Sequence, residues 1–150
     1  MMAPIDRLNA PFQGLLDNLS PSARKTLARD IAHQLRASNT KRIAAQQNPD
    51  GTPFAPRKTQ ARRRRGKLRR TMFSKIRTAR FLKIEATPST AALVISGRAA
   101  RIAEVHQFGL RDRVNAKRGL IVQYARRELL GFSDQDKRMV AETTLNHLAK

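Results

Sequence analysis

Behind Ser20-Pro21 the apolar positions recur every four residues. Leu27, Ile31 and Leu35 form one narrow stripe with Ala28 and Ala32 beside it, while Arg24, Lys25, Arg29 and Arg36 fall elsewhere on the turn. This spacing predicts a long helix to about Gln47, with Ser20 as N-cap, Pro21 at the first helical position and the stripe facing a core. Helical spacing returns after Gly66 with Leu68, Met72 and Ile76, Phe73 alongside. At FLKIEAT (81–87) the period changes to two: Leu82, Ile84 and Ala86 point one way, Lys83, Glu85 and Thr87 the other. Pro88-Ser89 interrupts, and AALVIS (91–96) reads as a second strand, so the pair predicts an antiparallel hairpin.

Residues 99–108 read as a short helix stopped by Gly109. Residues 111–118 are polar and read as a loop, and LIVQY (120–124) as a strand. Ser133, with Asp134 and Asp136 in the first turn, opens a last helix whose apolar face is Val140, Ala141, Thr144, Leu145 and Leu148. Residues 4–18 carry Leu8, Phe12, Leu15 and Leu16 at helical spacing, although Pro11 and Gly14 interrupt it. Helices around a small antiparallel sheet define an α+β class: a long N-terminal helix and a C-terminal helix packed on the sheet. The 150 residues suit one domain, 1–150, in which residues 48–70 form an extended arm rich in proline and arginine.

Charge sharpens this division. Lys and Arg total 31 against 11 Asp and Glu, a net +20. Residues 1–50 hold 7 basic and 4 acidic side chains and residues 84–150 hold 11 and 7, whereas residues 51–83 hold 13 basic and no acidic ones. Such an excess calls for a polyanion or an acidic protein as partner. There are no cysteines, which removes disulfides and thiol chemistry. No apolar run nears the ~18 residues of a membrane span, and the N-terminus lacks the unbroken apolar stretch of a signal peptide, so a soluble protein is expected.

Candidate chemistry is sparse. His33, His106 and His147 stand far apart in sequence, and none has a nearby acid in a known metal-ligand pattern. The glycines form no phosphate-binding pattern and no nucleophile-elbow serine occurs. The expectation is a protein without catalytic, cofactor or metal residues. His106, with Phe108 and Gly109, reads as a structural group packed within the fold or at an interface.

Two stretches point instead to contacts. Four adjacent arginines, Arg62, Arg63, Arg64 and Arg65, sit among Arg57, Lys58, Lys67, Arg69 and Arg70. They suit bidentate contact with phosphates or docking on an acidic protein, or they form a solvated loop. With six Phe, one Tyr and no Trp, base stacking is not expected, so any nucleic acid would be held by its backbone. Just upstream, Asn48, Pro49, Asp50, Gly51, Pro53, Phe54 and Pro56 make a stiff strip with one aromatic anchor. That strip can cross to a neighbouring subunit, or it can be an internal loop whose Phe54 closes the core.

Three stretches in order, QQNPDGTPFAPRK (46–58), ARIAEVHQFGL (100–110) and YARRELLGFSDQD (124–136), resemble the tail-completion protein S family of contractile-tailed bacteriophages, also called the phage virion morphogenesis family. The likeness spans about residues 20–150. It implies a non-enzymatic virion component that finishes the head-proximal end of the tail and helps it join the filled head. It further implies a place in the neck, as a ring-forming, hexameric unit, with host cytoplasm as the site of assembly before that. The partners so implied are copies of itself, neighbouring tail and neck proteins, and genomic DNA backbone in the lumen, with no membrane. The family supplies no catalytic residues. The rival readings are a ribosome- or nucleoid-associated basic protein, which charge alone would suit, and a DNA-processing enzyme, which would need an acidic metal cluster that the sequence does not display.

Overall fold

The computed structural model describes residues 19–57, 71–115 and 119–149. Helix α1 spans Pro21–Ala44, and the Ser20 side chain caps it by accepting from the Ala23 N–H at 3.1 Å. Its buried face is Leu27, Ala28, Ile31, Ala32, Leu35, Asn39 and Ile43, the expected stripe extended by two turns. Gln46 takes a positive φ of 58°, which no α-helix can continue, and a tight turn over Asn48–Thr52 follows.

Strands β1 (Leu82–Ala86) and β2 (Ala91–Ile95) form the expected antiparallel hairpin, in register from Leu82 opposite Ile95 to Ala86 opposite Ala91. The hairpin packs on α1, where Ala28 and Ala32 meet Ala91; small side chains there let helix and strand approach closely. Helix α2 (Ala99–Phe108) ends at Gly109, whose φ of 62° is the left-handed cap geometry that glycine adopts without a Cβ penalty. Helix α3 (Asp134–Leu148) begins with a capping box: Ser133 accepts from the Asp136 N–H, and Asp136 accepts in return from the Ser133 N–H, each at 3.0 Å. Three polar contacts tie α3 antiparallel to α1: Ser38 with Asp136, Gln34 with Thr143 (3.0 Å) and Asp30 with His147 (3.0 Å).

The core joins α1, the hairpin and α2 to Phe54, Met72, Ile76, Leu129, Leu130 and Val140. The α+β class therefore stands, with three helices and two separate two-stranded antiparallel units among the described residues.

Three expectations need correction. The helix foreseen around Leu68–Ile76 is absent over residues 71–81, which run through successive turns; Phe73 has φ of 65°, so the helical path is broken although Met72 and Ile76 are buried as expected. Residues 111–118 are not simply a loop: Arg111–Asn115 forms strand β3, paired antiparallel with β4 (Leu120–Gln123), with a register shift between Arg113 and Asn115. Its side chains are too polar to announce a strand, and the pairing with β4 supplies what propensity does not. Leu145 is half exposed, because the face of α3 turned inward is Asp136, Val140, Thr143 and Thr144. The helix expected over 4–18 and the run with Lys58, Arg62, Arg63, Arg64, Arg65, Lys67, Arg69 and Arg70 lie outside the described residues.

Candidate functional site

The three sequence stretches meet in space. The Asn48–Pro56 turn, the C-terminal half of α2 and the extended segment 124–131 lie against one another and are held by buried polar side chains that bond to backbone groups. Such segments carry no regular ladder of their own, so every buried N–H and C=O must find another partner.

Arg127 holds two of them. It is 5 % exposed. Its Nε donates to the Ala55 carbonyl at 2.7 Å and its Nη2 to the Pro56 carbonyl at 3.0 Å, while its own N–H donates to the His106 carbonyl at 2.7 Å. Its Nη1 lies 3.0 Å from His106 Nδ1. A guanidinium can only donate, so Nδ1 is the acceptor and the ring proton sits on Nε2. Burial, and then the guanidiniums of Arg127 and Arg57, push the His106 pKa down to about 4. The imidazole is thus neutral at physiological pH, wedged edge-on between Phe73 (4.8 Å between ring centroids) and Tyr124 (5.0 Å). Phe73 in turn meets Phe54 at 5.7 Å.

Gln107 acts as a surrogate strand. Its Oε1 accepts from the N–H groups of Leu129 (2.8 Å) and Leu130 (3.0 Å), and its Nε2 donates to the Leu130 carbonyl at 2.9 Å. Asn48 Oδ1 accepts from the Glu128 N–H at 2.9 Å. From α1, Arg42 reaches the carbonyls of Gln47 and Glu128 (2.8 Å each) and Leu129 (2.7 Å), and Asn39 Oδ1 accepts from the Gly131 N–H at 3.2 Å. Gln46 closes the far side by accepting from the Met72 N–H and donating to its carbonyl, each at 2.8 Å. Gly131 leaves room for the turn: a Cβ there would stand 2.5 Å from Pro49 Cγ.

Of the strip foreseen as an arm, Phe54 is buried in this chain's own core, the internal alternative left open by the sequence, and Pro49 packs on Gly131. Asp50, Gly51, Thr52 and Pro53 stay exposed at the tip. His106 is a packing and hydrogen-bonding group, Gly109 a helix stop, and Phe108 points its ring to the surface with over half of it exposed. Arg57 is exposed beside this junction. Asn39, Arg42, Gln46, Gln107 and Arg127 escape a reading of sequence, although the last three fall inside the quoted stretches; no local pattern marks a polar residue whose partner is a distant backbone group. Among the described residues no group of three or more His, Asp or Glu could hold a metal ion, and no helix is long and apolar enough to cross a membrane.

What the junction defines is a fixed crossing of three segments, in which most buried polar side chains bond to backbone. The chain belongs to the phage virion morphogenesis family, whose model matches residues 4–149. It is 42% identical over 151 residues to the tail completion protein S of Escherichia phage P2, a match covering 99% of this chain and 100% of that protein. No solved structure matches it.

Proposed function

We propose that this chain is a structural component of a phage tail that completes the head-proximal end of the tail and helps join it to the DNA-filled head. It does so as a subunit of a closed ring in the neck of a contractile-tailed particle, hexameric if it follows the sixfold tail. The observation that carries the reading is the near-complete match to a protein of that name, over a junction in which all three family-like stretches are fastened together. A head-to-tail contact between copies closes into a ring when its rotation divides a full turn. The exposed tip Asp50–Pro53 and the basic sequence run Arg62, Arg63, Arg64 and Arg65 are the segments proposed for such contacts, the latter with an acidic neighbour or DNA backbone. The chain works in the virion after assembly in the host cytoplasm, by contact and without chemistry of its own. Deleting its gene should leave filled heads and separate tails, scored by electron microscopy of lysates. Normal infectious particles from the deletion phage would refute the reading.

A further inference from the structure

The β3–β4 ribbon has a different character from everything else in the fold. It has two short strands, and among the described residues no third strand pairs with either edge. Its polar ties to the body are at the base: the Tyr124 N–H to the Leu110 carbonyl (3.0 Å), Gln123 Nε2 to the Gly109 carbonyl (2.5 Å) and Arg101 to Asp112 (3.4 Å). Beyond that base, Leu120 is 58 % and Ile121 59 % exposed. Neighbouring strand residues point to opposite faces, so both faces of the ribbon present a large aliphatic side chain to water. A two-stranded ribbon is marginal alone and is normally supported by a further strand or an apolar cover. Its charge says what kind of cover. Arg111 and Arg113 are exposed opposite Gln123 and Ile121, and among the described residues neither has a carboxylate partner, whereas Asp112 is taken by Arg101.

We propose that the β3–β4 ribbon is a docking element for an acidic protein surface, with Leu120 and Ile121 as its apolar anchors and Arg111 and Arg113 as the groups that select carboxylates. The inference rests on the assembly reading above for its setting and adds the contact surface. The same ribbon of a second copy fits poorly as the occupant, because it would set Arg111 and Arg113 against their own equivalents. Nucleic acid fits poorly too, since phosphates would leave both aliphatic side chains in water. A protein strand laid along a free edge satisfies the backbone and offers side-chain seats in the same step.

Two measurements test this. A photoreactive phenylalanine analogue is placed at Ile121 and, as a control, at the exposed Lys25 of α1, in the full chain expressed during infection, and the crosslinked peptides are sequenced. The expected product at position 121 is one peptide of another virion protein bearing several Asp or Glu, absent at position 25. Crosslinks to this chain itself, to DNA, or only those seen at position 25 overturn the proposal. In parallel, Leu120→Ser with Ile121→Ser, and separately Arg111→Glu with Arg113→Glu, are used to complement the deletion phage. Both should lower titre about tenfold or more, the scale of losing one buried interface anchor, with an unchanged thermal unfolding midpoint. Wild-type titre from both pairs also overturns it. The assembly reading fails separately, when the deletion itself has no effect on particles, and the crosslinking result still decides whether the ribbon has an acidic partner.

Discussion

The junction and the ribbon are joined at Gly109–Arg111 and Gln123–Tyr124, yet they use side chains in opposite ways. At the junction, polar residues are buried and aliphatic ones complete the core: Arg127 and Gln107 are nearly inaccessible and bond to backbone, next to Leu129 and Leu130. On the ribbon, the aliphatic Leu120 and Ile121 stand in water between arginines. Burial of a polar group is tolerated only with partners in place, and the junction finds most of its partners within this chain. Exposed aliphatics on a ribbon that has no third strand among the described residues add little to the stability of the fold, and the proposed docking would give them a use. One chain thus separates what holds its own shape from what it offers to others.

The largest effect should follow from breaking the junction at its most connected side chain. Arg127→Ala strands the carbonyls of Ala55 and Pro56 and removes the donor to His106. Leaving these buried acceptors without their donor costs about 3 kcal/mol in all, read as a drop in unfolding free energy in urea. Arg127→Lys should not restore it, because a single ammonium cannot span the positions reached by a planar fork. Gln107→Ala comes next: it leaves the N–H groups of Leu129 and Leu130 without acceptors, at about 2 kcal/mol.

A smaller effect is set by pH. His106 has a pKa near 4 in the folded chain against an ordinary 6.5. Between those values the unfolded chain binds a proton that the folded chain refuses, so stability falls as pH drops from about 6.5 towards 4 and levels off below. His106→Gln should remove that part of the slope in pH-resolved thermal unfolding while keeping most of the stability at pH 7. A slope unchanged by the substitution would assign it to other groups. The smallest effect belongs to the ribbon: Leu120→Ser with Ile121→Ser should change unfolding free energy by no more than about 0.5 kcal/mol, as exposed positions do. A loss comparable to that of Gln107→Ala would mean that the ribbon supports the fold and the contrast with the junction would dissolve.

Much of the frame was legible in the sequence because its signals are local. Ser20-Pro21 and Ser133 with Asp136 mark helix starts by satisfying the first free N–H groups, Gly109 marks a stop by its φ, and the alternation across Leu82–Ala86 exposes a strand with one covered face. The junction was legible only as three ordered stretches. Gln107 and Arg127 look like surface residues until the fold brings backbone 22 or 71 positions away within reach. Strand β3 was hidden for a related reason: Arg111, Asp112 and Arg113 have no periodic apolar face, and pairing with β4 makes them a strand. Phe54 could have faced a neighbour or its own core, and sequence holds no term for the packing with Phe73 that decides it.

Hydrogen exchange, compared between the free protein and the same protein assembled on tails, tests the division most directly. Amide exchange should be slow at Arg127, Leu129 and Leu130 in both states, and exchange along Arg111–Arg113 and Leu120–Gln123 should be fast in the free protein and slowed on tails. Ribbon amides that exchange alike in the two states, or junction amides that become protected only on assembly, would contradict it.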